Sequence, residues 1–188
     1  MKKLLLPLAI ALLLALAVPA AFADAELGIG LTPGQVGGYN DASAPPLINF
    51  HVGYTWTILY FGWDAYAMPS YWVYNNYGYV DPNTGDAVPG FLNLFDVGLK
   101  LYLRPFVAYL GVGPDMLYVR GGGVYNGVGV NARLGAGLRF GWWGIDISGT
   151  QVFASWNDLT FAFQEAAANR WDVLLNGMVA TVTFNIYF

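Results

Sequence analysis

In eight stretches of this chain apolar residues alternate with a second set at period two, and one parity is mainly apolar while the other collects glycine, amide and charge. That period belongs to an extended strand whose two faces differ in chemistry. The clearest case sets Ile48, Phe50, Val52, Tyr54, Trp56 and Ile58 against Asn49, His51, Gly53, Thr55 and Thr57. The sixth stretch sets Val128, Val130, Ala132, Leu134, Ala136, Leu138 and Phe140 against Gly129, Asn131, Arg133, Gly135, Gly137 and Arg139. The chain closes on "VATVTFNIYF", with Ala180, Val182, Phe184, Ile186 and Phe188 opposite Thr181, Thr183, Asn185 and Tyr187.

The remaining stretches follow the same rule. The first strand covers Ala25 to Leu31; the third, Phe61 to Ala67, follows a parity slip at Leu59-Tyr60 that predicts a tight turn. The fourth runs through Phe95, Val97, Leu99, Leu101 and Leu103, opposite Leu94, Asp96, Gly98, Lys100, Tyr102 and Arg104. The fifth runs from Phe106 to Met116 with Pro114 at a bend, the seventh from Trp143 to Phe153, and the eighth from about Val173 to Phe188. Connections rich in Gly, Pro, Asn and Asp separate them and alternate long and short; "VRGGGVYNG" is one long loop, and "SWNDLTFAFQEAAANRW" has room for a short helix.

Volume decides which face is inside. A soluble barrel or sandwich would enclose the aromatic face and leave Asp96, Lys100, Asp115, Arg133, Arg139 and Asp146 in water. Eight strands enclose a space only just wide enough for side chains, which suits glycine and short polar groups better than packed Phe and Trp. Charged residues make up 11% of the chain, less than half of the roughly 25% usual for a wetted surface. The expectation is therefore an all-β, eight-stranded antiparallel transmembrane up-and-down β-barrel, with bulky residues toward lipid and charges in the lumen. Both termini and the short turns would then lie in the periplasm and the long loops outside.

The N-terminal segment fits export. Lys2 and Lys3 precede an apolar run that ends at Ala21-Phe22-Ala23, the pattern of a cleavable signal peptide over 1–23, leaving a barrel domain over 24–188. With no cysteine, the chain has no disulfide and no lipid-modified cysteine. Loss of both signal lysines leaves six basic residues against twelve acidic ones, a balance that disfavours nucleic acid as a partner.

Two passages resemble the small eight-stranded outer-membrane proteins of Gram-negative-type bacteria, the broad OmpA, OmpX and OmpW group. "LRPFVAYLGVG", Leu103 to Gly113, is similar to the turn-to-strand passage of OmpW-type barrels. Thr181, Ile186 and Phe188 match positions of the C-terminal signal read by the barrel assembly machinery, with Thr183 where that signal has glycine. The resemblance implies the cell outer membrane, the lipid bilayer and the assembly machinery as partners, and an OmpW-like passive route for small hydrophobic molecules. Two alternatives stay open: a structural outer-membrane protein with a packed, non-conducting lumen, and a surface adhesin that binds a host ligand.

The residues carry little sign of catalysis. His51 is the only histidine and falls on the lumen parity; a general base needs a nucleophile and an orienting acid, and no serine is spaced to partner it. Neither an enzyme, a cofactor nor a metal site is expected. The expected lumen network is Glu26, His51, Asp64, Asp96, Lys100, Arg104, Asp115, Arg133, Arg139 and Asp146, since charges persist in such a space only when paired. Tyr71, Trp72, Tyr74, Tyr77 and Tyr79 crowd the second long connection, as an interfacial girdle or a contact surface.

Overall fold

A computed structural model describes residues 23–32, 47–119, 123–171, 173 and 178–188. The expected signal segment before residue 23 and the first long connection lie outside the described residues. The strands are β1 (Ala23–Thr32), β2 (Leu47–Trp56), β3 (Leu59–Met68), β4 (Gly90–Leu103), β5 (Phe106–Val119), β6 (Gly123–Phe140), β7 (Trp143–Phe153) and β8 (Val179–Tyr187). Each pairs antiparallel with its sequence neighbours, and β8 pairs with β1 to close the barrel. Phe188 continues that seam: its N–H donates to the Ala25 carbonyl at 2.9 Å. Closure leaves no sheet edge unpaired, which a wall in hydrocarbon requires.

The two faces divide as the alternation demands. Ile29, Leu134 and Ile147 are 60%, 60% and 61% exposed, whereas Asp64 and Lys100 on the other parity are 0% and 1% exposed. Outward aromatics collect at the short-turn end, where Trp56, Phe106, Phe140 and Trp142 stand exposed. Phe91 and Tyr118, cross-strand partners near the other end of β4 and β5, are exposed too. Such rings at both strand ends are typical of a membrane barrel. Among the described residues no helix is long and apolar enough to cross a membrane.

The narrow interior is filled by pairing large groups with glycine. Across neighbouring strands Glu26 faces Gly53, His51 faces Gly28, Asp96 faces Gly62, Tyr60 faces Gly98, Arg133 faces Gly111, Tyr109 faces Gly135 and Asp146 faces Gly137. A side chain on either partner glycine would occupy space the larger group already takes: a Cβ at Gly53 would meet Glu26, and one at Gly135 would meet the Tyr109 ring. Glycine and charge thus share the lumen parity, the glycine of one strand leaving room for the large group of the next.

Several expectations change at strand ends. The β2–β3 turn is Thr57-Ile58, two residues earlier than the predicted slip, because Thr57 adopts φ 63° in the left-handed region. That shift puts Tyr60 in the lumen, fully buried. Residues of "VRGGGVYNG" extend the β5–β6 hairpin, and β8 starts at Val179 rather than near Val173. The proline at 114 leaves a gap in the β4–β5 ladder, since it has no N–H to donate. The buried Asn131 amide fills that gap, donating toward the carbonyls of Phe95 at 3.1 Å and Gly113 at 3.0 Å.

Among the described residues, two helices lie in the long connections. The aromatic connection holds α1 (Ser70–Tyr77), ended by Gly78 at φ 65°, whose N–H donates to the Tyr74 carbonyl at 2.7 Å. The last connection holds α2 (Trp156–Ala167), started by Ser155, whose hydroxyl accepts from the Asp158 N–H and donates to its carboxylate.

Candidate functional site

The lumen is the candidate site, and strand pairing determines who meets whom inside it. Glu26 on β1 reaches Lys100 on β4, three strands away, with Nζ 2.7 Å from Oε1 and 2.5 Å from Oε2. Arg133 on β6 reaches Asp64 on β3, also three strands away, and its Nη1 lies 3.4 Å from Asp96 Oδ2. Both contacts therefore span the interior rather than run along one wall. His51 ties them together: its Nδ1 is 3.0 Å from Asp64 Oδ2, and its Nε2 is 3.3 Å from both Glu26 Oε1 and the Tyr60 hydroxyl. All of these residues are buried.

Tyrosines complete the filling. The Lys100 ammonium sits 5.1 to 5.8 Å from the ring centres of Tyr109, Tyr60, Tyr187 and Tyr102. Each face attracts the cation through its quadrupole, so the ammonium is held by a carboxylate and four rings. Nearer the short turns, Arg139 pairs with Asp24 at 2.6 Å and lies 4.1 Å from the Tyr187 ring centre. A depression of about 960 Å³ opens at this end, lined among others by Asp24, Tyr102, Arg104 and Arg139, with Lys100 also on its wall.

Toward the long loops the lumen turns apolar. Leu47, Tyr66, Met68, Leu92, Leu94, Leu117, Val119 and Val179 form one buried cluster, capped by Val73 of α1 and by Val88. This corrects the expectation of a polar interior throughout: apolar residues occupy the lumen parity at the long-loop ends of β2 to β5 and at the start of β8, while Thr32 of β1 and Thr150 of β7 stay polar. The apolar residues have partners there because α1 folds over that end.

Of the expected network, Glu26, His51, Asp64, Asp96, Lys100 and Arg133 come together. Asp146 sits apart, accepting from the Asn185 amide at 2.9 Å, and Asp115 accepts from the Gly129 N–H at 3.1 Å. Arg104 does not join: it is an exposed residue of the β4–β5 turn, because β4 ends one residue earlier at Leu103. Tyr60, Tyr66, Tyr109, Asn49 and Asn131 are lumen residues absent from the expected set. Tyr109 and Asn131 share the parity of the charges, which is the signal that finds them.

His51 does have acids within hydrogen-bond reach, but its hydroxyl neighbour is Tyr60 rather than a serine. Ser148 Oγ instead accepts from Arg133 at 3.3 Å. Among the described residues no group of three or more His, Cys, Asp or Glu is arranged to hold a metal ion. Of the aromatic connection, Tyr71 and Tyr74 are exposed, and Tyr79 packs against the apolar cluster. The side chains of Trp72 and Tyr77 lie outside the described residues. In the C-terminal stretch, Thr181 is buried and hydrogen-bonded to Thr32 and Tyr66, Ile186 faces outward, and Phe188 is exposed.

No family model matches the sequence, and no curated protein is similar to it. Among solved structures, the chain is similar to the N-terminal β-barrel domain of Pseudomonas aeruginosa OprF, at 12% identity and a TM-score of 0.46, over 88% of this chain and 96% of that one.

Proposed function

We propose that this protein is an integral outer-membrane barrel whose role is structural, with a lumen that is a packed plug rather than a conduit. The observation that carries this reading is the pair of contacts across the lumen, Glu26 with Lys100 and Arg133 with Asp64, both buried and backed by tyrosine rings. The outer-membrane assignment rests on the apolar outer face, the aromatic rims and the closed seam, with the lipid bilayer and the barrel assembly machinery as partners. A passive route for small hydrophobic molecules needs an open apolar pocket at the long-loop end, and there the cluster around Leu92 and Leu117 fills the lumen.

The test is conductance. Folded protein reconstituted into planar bilayers is expected to give no sustained current steps at moderate voltage. Steps whose size falls when Lys100 or Arg133 is replaced would overturn the plug. A second reading draws on Tyr71 and Tyr74, which stay exposed on α1 while Val73 is buried beneath them. Their rings suit binding of a host ligand, a reading that fails if Tyr71→Ala/Tyr74→Ala cells bind host surfaces as well as the parent.

A further inference from the structure

Helix α2 packs on the outside of the barrel, not over its mouth. Its buried residues Leu159 and Ala162 join Val130 of β6 and Phe153 of β7, with Val112 and Ala132 at the margin. All four strand residues are on the parity that elsewhere faces outward: Leu134 and Ile147, on that parity of the same strands, are exposed. The helix therefore covers a piece of wall that would otherwise meet lipid.

Its remaining surface is divided. At 100° per residue, Leu159, Ala162 and Ala166 define the face on the barrel, and Trp156, Phe163 and Ala167 fall together on one flank about 90° away. Asp158 and Glu165 fall on the opposite flank, with Phe161, 55% exposed, next to Glu165 on the side away from the barrel. Trp156 and Phe163 are 55% and 48% exposed. A helix in contact only with water gains nothing by gathering two of its three exposed aromatics on one flank and its carboxylates on the other. A helix lying along the edge of a bilayer does, since each flank then meets its own solvent.

We infer that α2 is an interfacial helix that rests in the headgroup region of the outer leaflet, with Trp156 and Phe163 toward the acyl chains and Asp158 and Glu165 toward water. The belt of exposed rings supports that occupant. On β4 and β5 the belt near the long loops is made by Phe91 and Tyr118. On β7 the corresponding ring, Phe153, is buried under α2, and Trp156 and Phe163 replace it on the helix. The apolar flank is thus continuous with the surface that the proposed membrane reading assigns to lipid, and the inference rests on that reading.

The chain has no cysteine, so single labelling sites are clean. Spin labels are placed at Phe163→Cys, Trp156→Cys, Asp158→Cys and, as a control on the β6 wall, Leu134→Cys, in the folded barrel in phosphatidylcholine vesicles. Accessibility to oxygen, which partitions into lipid, is compared with accessibility to a water-soluble nickel chelate. Positions 163 and 156 are expected to shift toward oxygen and position 158 toward nickel, with 134 deepest. If 134 is lipid-exposed while 163 and 156 are as open to nickel as 158, the helix lies in water and the inference is overturned. If 163 and 156 are shielded from both reagents, a protein surface such as a second copy covers that flank, which also overturns it. Nickel access at 134 would instead sink the membrane reading itself.

Discussion

Replacing Lys100 with methionine tests whether the lumen is packed or wet. Methionine keeps most of the chain length among the four tyrosine rings but removes the ammonium that touches both oxygens of Glu26. The carboxylate, 2% exposed, then retains only His51 nearby. Removing one partner of such a buried pair costs about 3–5 kcal/mol, because the other charge stays behind. Replacing Glu26 with glutamine should cost less, about 1–3 kcal/mol, since the cation keeps four aromatic faces, each contributing roughly 0.5–2 kcal/mol. The double variant should lose less than the two single losses combined, because no charge is stranded. Reversible urea unfolding in detergent micelles, followed by tryptophan fluorescence, reads these values; at about 2 kcal/mol per M the Lys100→Met midpoint should fall by about 2 M. If both single variants shift by less than about 0.5 kcal/mol and combine additively, each charge is solvated on its own, as exposed pairs are. The plug, and the structural role built on it, would then be wrong.

Gly98→Ala should destabilise the barrel by about 1–3 kcal/mol, because its Cβ would meet the Leu110 carbonyl, which is main chain and cannot swing aside. Ala136→Leu on the outer face is the control, with an expected change within about 0.5 kcal/mol in the same unfolding assay. Asn131→Ala, which strips the donors from the Phe95 and Gly113 carbonyls beside Pro114, should cost about 1–3 kcal/mol; an unchanged midpoint would mean that the proline gap needs no side-chain donor. Deletion of Phe188, which extends the β1–β8 seam, should lower the fraction of barrel that migrates as a compact species in unheated gels of cell envelopes, and normal assembly would count against its part in a C-terminal signal.

Alternation alone yields the closed barrel and the facing of nearly every described strand residue, because a one-residue error would turn the whole apolar set inward. It also groups Glu26, His51, Asp96, Lys100 and Arg133 on one side, without saying which of them meet. Their meeting depends on tilt and closure: Glu26 and Lys100 are 74 residues apart and reach each other across the lumen. Local geometry defeats parity where a strand stops. Thr57 takes a conformation usual for glycine or asparagine, so no turn signal marks it and Tyr60 hides in the expected slip. Arg104 continues the lumen parity one residue past the end of β4 and turns out to water instead. The apolar cluster at the long-loop end depends on α1, whose tyrosines and asparagines read as a loop until Gly78 is seen to cap it.

The match of seven large lumen groups to glycines on neighbouring strands has a consequence for how such a chain can change. A bulky residue at position 53 would evict Glu26, and one at 137 would displace Asp146. Neither member of a couple can drift alone, whereas the outward positions are free to exchange one greasy residue for another. Descendants of this chain should therefore vary quickly on the outside and inherit their interior two residues at a time, with size handed from one ribbon to its neighbour.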